Sequence, residues 1–353
     1  MKKIGLLILG LTVLIITPSF RRTNIDLVNL QADKIALACQ KIGSYENCYE
    51  EQFTDLTQRK DLFFSQKVLY KLWEIDSRTY VCHVIAHRIS LAQVRKDPAS
   101  WRKILNSIDP QSCSGGFYHG ILEGHASFDP NFELNGAQID KLCRDKGSVY
   151  SEGSCIHILG HILLVQFNGE ISKAIGVCKH ISLSSSGQCY SGIFMENMTK
   201  QNLSEHGIAK PFNWTKDSLK DMEKVCFQQE GDAANGCWGQ MGHMYAAVYN
   251  DEPEIVFDAC KKAPQKEFST NCYLYAVAKI SVTRDSQSNI NSICRVYEGS
   301  TFFDTCVGRV ISSLLQTSPK FYERGKKFCQ SLSSKSQIKC FENLNHKKQS
   351  EKL

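Results

Sequence analysis

Three pairs of side chains that can bind transition metals are separated by one helical turn in the middle of the chain. The pairs are His83 and His87, His119 and Glu123, and His157 and His161. An α-helix brings residues i and i+4 to one face, roughly 5–6 Å apart at their Cβ atoms. Two imidazoles in this relation form a bidentate chelate, and a nearby carboxylate can complete the site.

Two more residues extend this set, namely His243 in the segment CWGQMGHMY and Glu196 in CYSGIFMEN. In a repeat of apolar helices, equivalent positions of successive helices line one surface, usually the concave one. Glu123 and Glu196 lie in apolar segments, where an unpaired charge is costly, so they are predicted to be ligands or catalytic general bases. The predicted site is one pocket with these metal ligands: His83, His87, His119, His157, His161 and His243.

The nature of the ion follows from the ligands that remain if the cysteines are oxidised. Imidazole and carboxylate suit zinc, which we expect first, and also iron, copper or manganese. Because there are more donors than one ion needs, a two-metal site is a further option. The structural alternative is that the histidines only hydrogen-bond neighbouring helical turns. His125 is out of register with Glu123, and we expect it to be structural.

The cysteines indicate which elements position these residues. The chain has 16 cysteines, and nine of them begin an apolar helical pattern: Cys48, Cys82, Cys113, Cys155, Cys189, Cys237, Cys272, Cys306 and Cys340. Their intervals are near 34 residues, apart from two longer steps of 42 and 48 that we interpret as insertions. A period of this length is typical of a solenoid of two-helix repeats. We name the helix that begins at each of these cysteines an A helix, and the helix before it a B helix.

Seven of these cysteines follow another cysteine by 9–12 residues, across a polar turn. This spacing predicts disulfides that join the end of a B helix to the start of the next A helix: 39/48, 143/155, 178/189, 226/237, 260/272, 294/306 and 329/340. Cys82 and Cys113 lack such partners, so we predict that they pair with each other. C-x-x-C does not occur in the chain, which disfavours zinc-finger sites.

The segment FDACKKAPQKEFSTNCYLYAVAKI, with a cysteine pair across the turn of a helical hairpin, resembles the disulfide-clamped Sel1-like branch of the tetratricopeptide-type repeat proteins. The resemblance rests on the cysteine register and covers about residues 30–345. It implies a binding scaffold and does not explain the histidines. The motifs HILGH and CYSGIFMEN are similar to segments of uncharacterised secreted bacterial proteins.

The predicted fold class is all-α: a disulfide-stapled α-solenoid of about nine two-helix repeats, with closure toward a toroid left open. The repeat domain spans 24–345, divided into histidine-rich repeats (80–250) and histidine-free repeats (251–345), and a basic tail follows at 346–353. Residues 54–75 are predicted to form one amphipathic B helix. The polar insertions near 126–138 and 199–216 are candidate lids.

Residues 1–20 resemble a secretory signal peptide, with a basic start, a 13-residue apolar run from Ile4 to Ile16, and small residues near Ser19. The alternative is an uncleaved N-terminal membrane anchor. Either one places the repeat domain outside the cytoplasm, secreted or periplasmic, where disulfides persist.

The net charge of +6 is scattered, and no basic stripe with interleaved aromatic residues occurs, so we expect no nucleic acid as a partner. Nucleophile-elbow, P-loop and dinucleotide-binding motifs are absent. Three functions remain. The first is a metal-dependent hydrolase or oxidoreductase, the second a protein- or peptide-binding solenoid with structural histidines, and the third a metal-sequestering or metal-delivery protein. In each case the substrate or protein partner would lie in the concave groove.

Overall fold

Helices are the only regular secondary structure in the part of the chain that the computed structural model describes. The described residues are 26–40, 42, 45–76, 82–108, 112–129, 131–144, 149–200, 203–204, 209–210, 214–282, 287–317 and 321–350. No β-strand occurs among them. The predicted all-α helical-repeat solenoid is therefore confirmed. The predicted signal peptide lies outside the described residues, and closure toward a toroid stays a prediction.

A helices and B helices alternate through the described ranges, as the cysteine register predicts. Only the helix Cys82–Lys96 begins at its cysteine; Gly116–Phe128 begins after Cys113, and the other A helices begin before their cysteines. The A helices are α2 (Tyr45–Arg59), α4 (Cys82–Lys96), α6 (Gly116–Phe128), α8 (Val149–Gln166), α10 (Gly187–Thr199), α12 (Gly231–Val248), α14 (Lys266–Val282), α16 (Phe303–Thr317) and α18 (Ser334–Ser350). The B helices are α1 (26–39), α3 (Leu62–Ile75), α5 (Trp101–Leu105), α7 (Gly136–Cys143), α9 (Ile171–Cys178), α11 (Lys216–Phe227), α13 (Pro253–Cys260), α15 (Gln287–Ser292) and α17 (Tyr322–Gln330).

The two classes of helix differ in length. The A helices have 13–18 residues, whereas several B helices are as short as α5, with 5 residues, or α7 and α9, with 8 each. Each successive pair of A helices from α8 to α18 is in contact. The core therefore lies mainly between A helices, and the short B helices return the chain to the start of the next one.

The chain divides into two compact units. Unit 1 contains the residues up to Ser107 together with His119–Phe128, and unit 2 contains Ile108–Tyr118 and the residues from Asp129 onward. In unit 1, α2 and α3 both pack on α4. In unit 2, the A helices from α8 to α18 pack in chain order.

The seven predicted turn-spanning disulfides are present, and each joins the end of a B helix to the first turns of the next A helix, across 9–12 residues. Their Cα atoms are 5.4–5.7 Å apart, which is within the range that a disulfide requires. Cys82 and Cys113 are disulfide-bonded too, and no described cysteine is free. The disulfides indicate an oxidising, extracytoplasmic environment. None of the described helices combines the length and apolar character needed to span a membrane.

The prediction of one B helix over residues 54–75 is wrong. Residues 54–59 complete α2, and the helix is interrupted at Lys60 and Asp61 before α3 begins at Leu62. Asp61 is in an extended conformation and caps α3, because its carboxylate accepts the backbone N–H of Phe64 at 2.7 Å. An aspartate at this position stabilises a helix start, and here that local preference prevails over the amphipathic pattern that runs through it.

The candidate lid near 126–138 is a short connection between α6 and α7. Asn135 forms a capping box with Gln138 at the start of α7. The backbone of Leu134 exchanges two hydrogen bonds with the Gln166 side chain of α8, at 2.7 and 3.1 Å. These contacts fasten the connection to the repeat. Half of the second candidate lid, 199–216, lies outside the described residues.

Candidate metal centre

In unit 1, two neighbouring A helices bring four candidate ligands together. His83 and His87 lie on α4, and His119 and Glu123 lie on α6, each pair at the i, i+4 spacing. The helices approach until their backbones touch, because residue 120 is a glycine. A Cβ atom at Gly120 would lie 2.1 Å from the carbonyl oxygen of His87. This close packing lets side chains of both helices reach one point.

The side chains form one connected cluster, which we call the unit 1 cluster. His83 Nε2 lies 3.3 Å from His119 Nδ1, and His87 Nε2 contacts a carboxylate oxygen of Glu123. His87, His119 and Glu123 each offer one donor atom, and these three atoms lie within 4.8 Å of one another. Two nitrogens bound to one tetrahedral zinc ion at 2.0–2.1 Å are about 3.3–3.4 Å apart. The separation of His83 and His119 therefore matches one edge of a zinc tetrahedron.

Three members of the unit 1 cluster are buried and His83 is half-buried: Glu123 is 7% exposed, His87 3% and His119 8%. A carboxylate buried to this extent needs a positive partner, because its loss of hydration is otherwise uncompensated. A metal ion or a protonated imidazole supplies the required charge.

In unit 2, the same arrangement recurs on α8 and α10. His157 and His161 lie on α8, and Glu196 lies on α10. Glycines again allow contact between the helix backbones. A Cβ atom at Gly192 would lie 1.9 Å from the carbonyl oxygen of His157, and one at Gly160 would lie 2.4 Å from a backbone carbonyl of α10.

These three side chains form the unit 2 cluster, in which the carboxylate orients one imidazole. Glu196 is fully buried, and its Oε1 accepts the backbone N–H of Leu203 at 2.9 Å, while its Oε2 lies 3.2 Å from His161 Nδ1. The other nitrogen of the ring, His161 Nε2, lies 3.2 Å from His157 Nε2. A carboxylate on Nδ1 directs the lone pair of Nε2 toward a metal, which is the common outer-shell arrangement of metal-binding histidines.

The two clusters have the same arrangement, in which a histidine of one A helix contacts a glutamate of the next A helix. The His87–Glu123 pair is separated by 36 residues in the chain, and the His161–Glu196 pair by 35. The prediction of a single pocket combines residues of both units and stays a prediction. His125, which we expected to be structural, stacks on Trp101 with ring centroids 4.0 Å apart.

His243 is a member of neither cluster in the described part of unit 2. Its ring centroid lies 5.3 Å from that of Tyr275. Burial, together with the positive charges of Arg309 and Lys279, lowers the pKa of His243 to about 3. Its role as a metal ligand stays a prediction.

This pKa predicts a pH dependence of stability. In the unfolded chain the pKa of His243 is close to 6.5, whereas the folded protein binds this proton only near pH 3. The unfolded state therefore binds more protons between these values, and stability falls as the pH decreases from about 6.5 toward 3. His243→Gln should flatten this fall relative to the wild type, as measured by urea unfolding across the pH range. His180→Gln, at an exposed turn, is the control, and identical slopes for wild type and His243→Gln would contradict the shift.

No family model, curated protein or solved structure matches this chain. The Sel1-like resemblance therefore stays a resemblance, although the alternating helices and disulfides agree with it.

Proposed function

We propose that the chain is an extracytoplasmic metalloprotein whose unit 1 cluster binds a divalent transition-metal ion. The carrying observation is that buried donor atoms of His87, His119 and Glu123 lie within 4.8 Å of one another. His83 adds a fourth donor through its 3.3 Å approach to His119. Two packed helices hold three imidazoles and one carboxylate, and no described cysteine is a free thiol. Metals that bind nitrogen and oxygen ligands prefer such a set.

Zinc is the first candidate ion, because it accepts four such ligands in a tetrahedron; iron, copper and manganese are the alternatives. If the three imidazoles alone bind the ion, one position stays open and Glu123 is placed to act as a general base. If Glu123 also binds, the site is closed and the protein stores or delivers metal. The same residues thus define either an enzyme or a metal carrier, according to the role of one carboxylate.

In unit 2, we assign His157 and His161 as a second chelating pair and Glu196 as a positioning residue. Glu196 Oε2 faces the nitrogen of His161 that points away from His157, so this carboxylate acts through the imidazole. The two imidazoles face each other through their Nε2 atoms. This agrees with a chelate in which both Nε2 atoms bind the same ion.

The direct test is elemental analysis of protein purified from an oxidising compartment, followed by titration of the metal-free chain with Zn²⁺ and Co²⁺. We expect at least one equivalent of metal, and we expect cobalt to give the intense visible absorption of a tetrahedral site. The number of equivalents also tells whether the two clusters bind ions together or separately. A chain that retains no metal and binds neither ion tightly would overturn the proposal. The imidazole contacts would then be N–H···N hydrogen bonds of a scaffold.

Replacing Glu196 with glutamine should weaken metal binding at the unit 2 pair by about 10–100-fold. The amide keeps the shape of the side chain, but it does not stabilise the His161 tautomer that directs Nε2 toward the ion. The measurement is a competitive Zn²⁺ titration at several pH values. The matched control is Glu223→Gln, since Glu223 is a carboxylate of unit 2 that pairs with Lys262 at 2.6 Å. Equal affinities for Glu196→Gln and the control would exclude the positioning role.

A further inference from the structure

Unit 2 contains a second polar cluster, which the proposed metal function does not use. Its centre is Tyr275 on α14, whose hydroxyl lies 3.1 Å from Ser191 Oγ on α10. The side-chain amide of Gln240 on α12 donates to the same oxygen at 2.7 Å. We call Ser191, Gln240, Tyr275 and Arg309 the Tyr275 cluster.

The cluster joins helices that are not consecutive in the row of A helices. Tyr275 reaches α10 by passing across α12 at Gly239, where an added Cβ atom would lie 3.2 Å from the tyrosine ring. Any larger residue at 239 would obstruct this path. Tyr275 and Arg309 are both partly exposed, so the cluster lies on an accessible face of unit 2.

Arg309 is the unusual member, because it is a partly buried cation without an acidic partner among the residues that the structure describes. Its guanidinium lies over the Tyr275 ring, 5.4 Å from the centroid. Its Nε is buried and has no hydrogen-bond acceptor among the described residues. Arg88 is a partly buried cation as well, but it is paired with Glu50 at 2.8 Å. A guanidinium that is partly removed from water and not paired indicates an anion that is supplied from outside.

Beyond their first turns, all charged side chains of the three helices that carry Gln240, Tyr275 and Arg309 are positive. In α12, α14 and α16, each helix has a single acidic residue, in its first turn: Asp232, Glu267 and Asp304. Beyond those turns, the only charged side chains of the three helices are Lys279 and Arg309. The face around Tyr275 is therefore positive, and such a field attracts anions.

The hydrogen-bond network of the cluster is also incomplete. Gln240 is 1% exposed, and its Oε1 has no hydrogen-bond partner among the described residues. Buried polar atoms without a partner are rare in proteins and call for an explanation. The unsatisfied atom is an acceptor, so it shows that the network is incomplete, but it is not itself a contact for an anion.

We infer that the Tyr275 cluster binds a small organic anion through a carboxylate group. The guanidinium of Arg309 presents a planar pair of donors that matches the two carboxylate oxygens. The hydroxyls of Tyr275 and Ser191 share one hydrogen bond, which leaves one O–H as a further donor. A carboxylate fits better than a phosphate, because one guanidinium balances a single negative charge. The inference does not depend on metal binding, since none of these residues belongs to the unit 1 or unit 2 cluster.

The test is ligand-observed NMR of the full chain with acetate, succinate and inorganic phosphate, at constant ionic strength set with chloride. It is run on the protein as purified and after treatment with EDTA. We expect saturable binding of a carboxylate probe in both samples. Arg309→Gln should weaken that binding by about tenfold or more, since a charge-assisted bidentate contact is lost. Arg309→Lys should weaken it nearly as much, because lysine keeps the charge without the planar fork.

Two further variants distinguish binding at a specific site from nonspecific attraction of anions by positive charge. Arg295→Gln removes one exposed positive charge of unit 2 and should leave binding unchanged. Tyr275→Phe keeps the ring under Arg309 and removes only the hydroxyl, so it should produce a smaller loss than Arg309→Gln. The inference is overturned if neither carboxylate binds saturably, if phosphate alone binds, or if Arg309→Gln binds as the wild type does.

Discussion

Replacing His119 with glutamine is expected to lower the affinity of the unit 1 cluster for zinc by about a hundredfold or more. Structural zinc sites with four ligands bind with roughly 10–16 kcal/mol, so each ligand contributes about 3 kcal/mol, and 1.4 kcal/mol corresponds to tenfold. His119 is the best residue to change, because it approaches His83 and also groups with His87 and Glu123. Glutamine keeps a polar side chain of similar length in the buried position.

The measurement is a competitive titration with a chromophoric chelator, accompanied by circular dichroism to confirm that the helices remain. His180→Ala is the matched control: it removes an exposed imidazole in the turn after α9, and we expect it to retain the affinity of the wild type. If His119→Gln binds zinc as tightly as this control does, the unit 1 cluster is not the metal site.

Replacing Gly120 with alanine should destabilise the protein by about 3 kcal/mol, the upper end of the usual cost of overpacking. The added Cβ atom would meet the carbonyl oxygen of His87 at 2.1 Å and Cβ of Ser90 at 2.8 Å. The first of these is a backbone atom within α4, and it moves only if the helix moves. We therefore expect α4 and α6 to separate, and the unit 1 cluster to lose metal affinity together with stability.

Gly176→Ala is the control for this substitution. Gly176 lies within α9, and no heavy atom would contact its added Cβ within 4 Å. Alanine there should stabilise the protein by about 0.5–1 kcal/mol, because it reduces the freedom of the unfolded chain and favours the helix. Urea unfolding of both variants gives the comparison. Equal stabilities for Gly120→Ala and Gly176→Ala would show that the two helices do not pack at Gly120.

The order of the elements could be predicted from the sequence, because the features that specify it are local. Cysteines such as Cys178 and Cys189 enclose a turn of few residues, so the pairing follows from spacing alone. The i, i+4 relation of His157 and His161 likewise depends only on helical geometry. For these reasons the all-α class, the nine A helices of the described chain and the seven turn-spanning disulfide pairs were predicted correctly.

Contacts between helices were decided by the tertiary structure. The helix break at Asp61 depends on whether a cap or an amphipathic pattern prevails, and both are present in the sequence. The contact of Glu196 with Nδ1 of His161 requires the close approach at Gly192, and it determines which nitrogen faces His157. Arg309, which the sequence did not single out, became significant only through the absence of an acidic partner among the described residues. Residue spacing specifies what one helix presents on a face, whereas distances and orientations across helices depend on how closely their backbones pack.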